Sequence, residues 1–174
     1  MNVVIKEMQS EEVAYIEKLY ESSFPSAEKK PFSWMMEGNE RMNVIYAQEN
    51  LCGLLFTLEN EGSVLIDYLA IDPKYQGSGI GTKVLNMFFK KTEKAIILEI
   101  EDPNVDCIPE EKELRKRRKA FYLQSGMRVQ SYRVDLFGVR MEMVSTIEQF
   151  PYERYLELLK ECLFEGVEQY VAKI

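Results

Sequence analysis

Three glycines ahead of a helical pattern are the residues of this chain best suited to hold a ligand. Gly77, Gly79 and Gly81 follow an apolar, strand-like run and the pair Asp72-Pro73, and an amphipathic helical pattern comes next. Glycines at this place let several backbone N–H groups face one anion, and the helix N-terminus adds a partial positive charge. The segment is therefore typical of a turn that binds phosphate.

Spacing separates this turn from two common phosphate-binding loops. A Walker A loop ends in Gly-Lys-Ser/Thr, but here Thr82 comes before Lys83 and Val84 comes after it, so no hydroxyl stands where magnesium would need one. A dinucleotide-binding loop reads G-x-G-x-x-G, and Gly81 misses the third position of that frame by one residue. Neither class of loop fits the sequence.

The frame that does fit is Gln/Arg-x-x-Gly-x-Gly/Ala, from Gln76 to Gly81. With Asp72-Pro73 four residues before Gln76, the segment resembles motif A of the GNAT superfamily of acyl-CoA-dependent N-acetyltransferases. A second landmark is the pair Phe121-Tyr122 before Gly126, which resembles the end of the family's later helix. Glycine suits that end because a left-handed helix cap strains other residues. The resemblance is closest over residues 64–144.

The resemblance implies a site for acetyl-CoA. In this family, backbone groups of the strand before motif A hold the acyl and pantetheine part, and the N–H groups of motif A hold the pyrophosphate. Of the basic run 115–119, only Arg118 is expected to contact the coenzyme, and the other side chains are expected to form a solvated helix face. The expected coenzyme-binding residues are Leu69, Ala70, Ile71, Gln76, Gly77, Ser78, Gly79, Ile80, Gly81, Thr82 and Arg118.

Acetylation of an amine requires a base for the ammonium proton and an acid for the leaving thiolate. Tyr122 matches the tyrosine that lies beside the coenzyme sulfur in many GNAT enzymes, and an ordinary tyrosine pKa of about 10 suits donation to a thiolate. Asp67 and Glu99 are the candidate bases, since an acidic side chain on an otherwise apolar strand is costly unless it is paired or takes part in the reaction. Glu101 shares a strand face with Glu99 but is expected to be exposed at the strand exit. The choice of base stays open, because a carboxylate could also bind the amine while water carries the proton away.

Composition limits the classes of function. The chain of 174 residues has a formal charge of −7 and no histidine, which excludes histidine-based triads and argues against nucleic-acid binding. Its three cysteines lack metal spacing and are typical of reduced thiols, so no metal is expected. No apolar run approaches the roughly 20 residues that span a bilayer, and no secretory signal is visible at the start. A cytoplasmic protein without a membrane partner is therefore expected.

The order of elements predicts one domain over residues 1–174. Strands come first, and helix and strand then alternate, which favours a mixed sheet. Together with the resemblance, this predicts an α/β (α+β) fold with a mixed, mostly antiparallel six- to seven-stranded sheet flanked by helices. Residues 145–174 are expected to form a C-terminal helical tail that covers the sheet or pairs with a second copy. Phe32, Trp34 and Met35 are predicted to form one face of a short helix on the sheet, although Phe32 could instead contact the acceptor.

These expectations describe an N-acetyltransferase that moves an acetyl group from acetyl-CoA to a primary amine by direct attack in a ternary complex. The acceptor, a small molecule or a peptide, has no recognisable signature. An acyl-cysteine route through Cys107 is disfavoured because nothing orients a base toward that thiol. The alternatives are a catalytically inactive acyl-CoA-binding sensor or interaction module, and an unrelated nucleotide-phosphate protein that binds ATP or NAD.

Overall fold

Continuous apolar runs form the central strands, such as Asn50–Glu59 and Ser63–Ile71. The computed structural model describes residues 1–174, which divide into two compact units. Unit 1 comprises Met1–Leu58 and Ile66–Glu93, and unit 2 comprises Glu59–Leu65 and Lys94–Ile174.

Unit 1 contains the elements around the glycine-rich turn. One of its strands begins in unit 2 and ends in unit 1. The elements, in chain order, are β1 (Val3–Glu7), α1 (Val13–Ser23), α2 (Phe32–Glu37), β2 (Arg41–Ala47), β3 (Asn50–Glu59), the shared β4 (Ser63–Ile71) and α3 (Ile80–Lys91).

Unit 2 contains the remaining strands and two helices. They are β5 (Ala95–Glu101), α4 (Pro109–Gln124), β6 (Arg128–Leu136), β7 (Val139–Ser145), α5 (Tyr152–Cys162) and β8 (Val171–Lys173). No helix of either unit has the length and apolar character needed to cross a membrane.

The eight strands follow the order β1-β2-β3-β4-β5-β7-β6-β8 in one sheet. β4 and β5 pair in parallel, with Val64 opposite Ile96, whereas β5 with β7 and β6 with β7 pair antiparallel. This confirms the predicted mixed, mostly antiparallel sheet flanked by helices. β8 adds a strand that was not predicted, because its three residues become a strand only by pairing with β6.

Unit 1 has an aromatic core. The rings of Tyr20, Phe32, Phe56 and Tyr68 pack at centroid separations of 4.9 to 6.3 Å, with Tyr20 against Tyr68 edge to face. Phe32 and Met35 are buried, as their spacing on α2 predicts. The prediction for Trp34 was wrong, since its side chain is 64% exposed. A single step along a helix turns a side chain by about 100°, so Trp34 leaves the face that Phe32 and Met35 share.

Unit 2 holds a network of buried carboxylates and cations. Asp102 is fully buried and its Oδ2 lies 3.0 Å from Arg133 Nε and 2.9 Å from Arg140 Nε. Glu142 contacts Lys119 at 2.7 Å, and Lys119 belongs to the basic run on α4.

Two expectations about exposure are corrected by this network. Glu101 is 8% exposed rather than solvated, and it forms an ion pair with Arg115. The basic run 115–119 is not wholly a solvated helix face, because Arg115 and Lys119 turn toward acids of the sheet. Ion pairing with carboxylates of β5 and β7 offsets part of the cost of burying these charges.

Candidate functional site

The glycine-rich turn begins at a hydrogen-bonded aspartate. Asp72 Oδ1 accepts a hydrogen bond from the Lys74 backbone N–H at 2.9 Å, which caps a 3-10 turn over Pro73–Tyr75. Asp72 Oδ2 accepts a hydrogen bond from the Tyr15 hydroxyl at 2.5 Å. The hydrogen bonds from Tyr15 and Lys74 lower the pKa of Asp72, because both favour its ionised form. The aspartate thus joins helix α1 to the end of β4.

Two side chains of the turn stabilise its backbone. Gln76 Nε2 donates to the carbonyl of Ile71 at 2.8 Å, and Ser78 Oγ donates to the carbonyl of Tyr75 at 2.6 Å. Both residues were predicted to present backbone N–H groups to the coenzyme. Their side chains bond to the chain itself and so hold the turn in shape.

Gly77 and Gly79 have the backbone conformation that the turn requires. Their φ angles are +76° and +80°, and Gly79 is the N-cap of α3. No atom lies within 4 Å of the position that a Cβ would take at either glycine. Other residues are strained at such φ values, so glycine combines a permitted conformation with open space for a ligand.

Helix α3 starts directly behind these glycines. Ile80, Gly81 and Thr82 are its first three residues, and the Lys83 N–H bonds back to the carbonyl of Gly79 at 3.1 Å. The N–H groups of a helix's first turn have no acceptor within the helix, and they carry the positive end of its dipole. Ile80 is buried and holds the helix start in place. The turn and helix therefore suit the pyrophosphate of a coenzyme.

The end of β4 is shaped by a glycine on β3. A Cβ at Gly53 would lie 2.6 Å from the Ala70 carbonyl oxygen and 2.9 Å from Ile71 Cδ1. Only glycine therefore lets the two strands approach so closely, next to the backbone of Leu69, Ala70 and Ile71. Gly53 was missed by the sequence analysis, although an isolated glycine within a strand is a signal of close backbone approach.

Asp67 lies in a cluster of three titratable side chains. Lys30 forms an ion pair with Asp67, and Lys30 Nζ lies 3.1 Å from Glu40 Oε2. Only 2% of the Glu40 side chain is exposed, and burial together with the negative charge of Asp67 raises the pKa of Glu40 to about 9. Although burial alone would lower the pKa of Lys30, the charges of Asp67 and Glu40 raise it. Lys30 and Glu40 had no sequence signal, because only folding brings them to Asp67.

Glu99 lies in unit 2, on β5 and opposite Met143 of β7. It is half-buried, and its Oε1 accepts a hydrogen bond from the Tyr155 hydroxyl at 2.5 Å. Tyr155 belongs to α5, in the predicted C-terminal tail, and was not predicted to take part in the site.

Tyr122 and Arg118 lie on α4. Tyr122 is 7% exposed and contacts the Phe121 ring at 5.1 Å, whereas Arg118 is half-buried. The helix ends at Gln124, and Gly126, two residues on, has the φ of +95° that confirms the predicted left-handed cap. The Met127 N–H bonds to the Tyr122 carbonyl at 3.2 Å. Arg118, Tyr122 and Glu99 thus belong to unit 2, whereas Asp67 and the glycine-rich turn belong to unit 1.

No cluster of three or more cysteine, aspartate or glutamate side chains is arranged to hold a metal ion. In the acidic cluster around Asp67, the cation between the carboxylates is the ammonium of Lys30.

Comparison with known proteins agrees with this fold. The family model for the acetyltransferase (GNAT) family matches residues 7–109. No curated protein matches the sequence. A GNAT-family protein from Bacteroides thetaiotaomicron has 20% identity and a TM-score of 0.73, over 91% of this chain and 94% of that one.

Two further solved structures show the same fold at lower identity. A Bacillus subtilis acetyltransferase in complex with CoA has 17% identity and a TM-score of 0.59, over 83% of this chain and 96% of that one. The ribosomal-protein-S18-alanine N-acetyltransferase of Escherichia coli has 12% identity and a TM-score of 0.56, over 87% and 97% of the two chains.

Proposed function

Because this chain belongs to the GNAT acetyltransferase family, we propose that it is an N-acetyltransferase that uses acetyl-CoA. The acetyl group would pass to a primary amine by direct attack in a ternary complex. Acetyl-CoA supplies the acyl group as a thioester. The observation that carries the proposal is the open glycine-rich turn at the start of α3. Its N–H groups lack helical partners, and beyond the adjoining residues no protein atom lies within 4 Å of where a Cβ would stand at Gly77 or Gly79.

Coenzyme binding is assigned to backbone groups. The N–H groups of residues 77–82 would bind the pyrophosphate, held in place by the side-chain bonds of Gln76 and Ser78. The backbone of residues 69–71 would hold the pantetheine and acyl part. Arg118 would add positive charge for a phosphate of the coenzyme. No metal has a role in this scheme.

The proposed acid is Tyr122, whose hydroxyl would protonate the leaving thiolate. The proposed base is Glu99 rather than Asp67. Lys30 engages the Asp67 carboxylate in an ion pair, which ties Asp67 to the charge cluster with Glu40. Glu99 instead accepts a hydrogen bond from the Tyr155 hydroxyl, which orients its carboxylate. An ionised carboxylate of this kind can accept a proton from the acceptor ammonium.

The acceptor is proposed to be an amine of a small molecule or a peptide. Solved proteins of this fold include an aminoglycoside 6'-N-acetyltransferase and the ribosomal-protein-S18-alanine N-acetyltransferase, whose acceptors differ widely. A cytoplasmic location is part of the proposal, supported by three cysteines that form no disulfide.

The first experiment is calorimetric titration with acetyl-CoA, beside ATP and NAD. Micromolar binding of acetyl-CoA alone is expected, and release of free CoA thiol is then followed with a panel of amines. Tyr122→Phe should lower kcat by about 10²-fold or more and leave acetyl-CoA affinity unchanged, as for loss of a general acid. Tyr170→Phe, which removes an exposed hydroxyl, is the matched control.

The outcomes separate the candidate functions. Failure to bind either acetyl-CoA or CoA would overturn the proposal. Binding without turnover on any amine, and without an effect of Tyr122→Phe, would instead favour the acyl-CoA sensor.

A further inference from the structure

Helix α5 brings a buried tyrosine hydroxyl to the proposed base. The hydrogen bond from Tyr155 to Glu99 Oε1 is 2.5 Å long and joins residues 56 positions apart in the chain. Tyr155 is fully buried. A buried hydroxyl without a partner is costly, so this pairing satisfies both the phenol and the carboxylate oxygen.

The orientation of α5 is fixed along its length. Arg154, next to Tyr155, donates to Ser63 Oγ at 2.7 Å and to the Gly62 carbonyl at 2.6 Å. At the other end of the helix, Cys162 Sγ lies 3.3 Å from the carbonyl of Glu59. The apolar stripe of Leu158 and Leu159 is buried. These contacts hold the Tyr155 hydroxyl at a defined position.

A second tyrosine lies near the same carboxylate. Tyr132 of β6 is 7% exposed, and its buried hydroxyl has no hydrogen-bond partner. Burial raises the pKa of Tyr132, and the negative charges of Glu153 and Glu99 raise it further. Tyr132 therefore stays neutral at ordinary pH, so the hydroxyl groups beside Glu99 add no charge of their own.

Other charged or titratable groups around Glu99 come from the elements of unit 2. Glu101 follows on β5 and is already paired with Arg115 of α4. The Lys173 ammonium lies 5.7 Å from the centre of the Tyr132 ring and 5.9 Å from that of Tyr152. Tyr152 and Glu153 of α5 lie near Tyr132, and Glu142, opposite Ile100 on β7, is paired with Lys119 and Arg133.

We propose that Tyr155 is a positioning residue for Glu99, which makes the C-terminal helix a functional part of the transferase. Its hydroxyl fixes the rotamer of the carboxylate and stabilises the ionised form that must accept a proton. During transfer, the proton of the acceptor ammonium passes to the Glu99 carboxylate, and the Tyr155 phenol keeps its own proton. This inference rests on the proposed function, with Glu99 as the base.

Tyr155→Phe tests the inference through the pH dependence of the reaction. A hydrogen bond to the ionised carboxylate favours that form, so its loss makes Glu99 easier to protonate. The acidic limb of the kcat/KM profile should therefore move upward by about one pH unit, the size expected for one bond to a charged group. A purely structural contribution of Tyr155 would lower the profile at every pH and leave its midpoint in place.

A measurement on Glu99 itself separates failure of this inference from failure of the proposed function. Carboxyl ¹³C NMR follows the titration of Glu99 without any substrate, and Glu99→Gln assigns its signal. The titration midpoint should rise by about one pH unit in Tyr155→Phe. Tyr152→Phe is the matched control, because it removes a hydroxyl on the same helix that bonds to the Val171 carbonyl instead.

Two results would overturn the inference. One is a Glu99 midpoint that is the same in the wild type, Tyr155→Phe and Tyr152→Phe. The other is an equal shift in both tyrosine variants, which would assign the effect to the helix as a whole. Absence of turnover with a shifted Glu99 midpoint would refute the transferase proposal and leave the contact established. Should Tyr155→Phe fold poorly, Glu99→Asp, whose shorter side chain withdraws the carboxylate from the Tyr155 hydroxyl, is compared by the same NMR titration.

Discussion

The Tyr15 hydroxyl lies 2.5 Å from Asp72 Oδ2 and so connects helix α1 to the residue that opens the glycine-rich turn. Asp72 also caps the 3-10 turn through Lys74 N. One aspartate therefore receives two hydrogen bonds, and the start of the turn depends on both of them.

Removal of the Tyr15 hydroxyl should weaken coenzyme binding. In Tyr15→Phe the turn loses one of the two bonds that hold Asp72, so acetyl-CoA affinity should fall by about three- to tenfold. The unfolding free energy should fall by less than about 1 kcal/mol, because the pair is only half-buried. Calorimetry and urea unfolding measure the two effects. Tyr75→Phe, in the same turn, should change neither, and equal effects in the two variants would contradict the prediction.

Gly79→Ala should strain the turn at the start of α3. The φ of +80° costs an alanine about 1–2 kcal/mol, although the space around it is open. Affinity for acetyl-CoA should therefore fall by about tenfold, as the turn relaxes away from its binding conformation. Gly62→Ala is the control, since its nearest neighbour would be Arg154 Nη2 at 3.5 Å, an ordinary contact. An unchanged affinity in Gly79→Ala would argue against this turn as the coenzyme site.

Glu40 should make the stability of the protein depend on pH. Its pKa is about 9 in the folded protein, against an ordinary 4.5, because it is buried beside Asp67. Between these values the folded state binds more protons than the unfolded state, so stability should fall as pH rises from about 5 to 9. Glu40→Gln removes this titration and should flatten the dependence in urea unfolding at pH 5, 7 and 9. The exposed Glu37→Gln should follow the wild type, and a wild-type slope in Glu40→Gln would refute the assignment.

Asp102 should contribute to the stability of the folded protein as the pH is lowered. Although burial alone would raise the pKa of Asp102, its hydrogen bonds from Asn104 and the charges of Arg133 and Arg140 lower it. The stability it contributes is present above its ordinary pKa of 3.8 and is lost as pH falls through the lower folded value.

Asp102→Asn should therefore lower the unfolding free energy at pH 7 by about 2 kcal/mol, the scale of hydrogen bonds to a charged group. The difference from the wild type should shrink as the pH falls below 4. Asp106→Asn, at an exposed position nearby, controls for the loss of one negative charge. A constant difference across the acid range would show that Asp102 does not titrate in this window.

Local patterns predicted the elements and the turn well. Gly77 and Gly79 have the positive φ angles that a phosphate-binding turn needs, and Gly126 has the left-handed cap predicted from its place after Tyr122. Such requirements concern the backbone of a few neighbouring residues, so spacing alone reveals them. The predictions for the exposure of Glu101 and Trp34 were wrong, because exposure depends on what packs against a side chain. Neighbours in the sequence do not specify that packing.

The sequence by itself predicted the mixed sheet from hydrophobic periodicity and the glycine-rich turn from glycine spacing, and the resemblance of residues 76–81 to motif A indicated the family. Tertiary structure alone decided which partners the acids have: Lys30 for Asp67 and Tyr155 for Glu99. It also decided that residues 171–173 form a strand, which needs β6 to supply hydrogen bonds. The physical reason is that an ion pair or a strand pairing joins residues far apart in the chain, and no local propensity predicts such a contact.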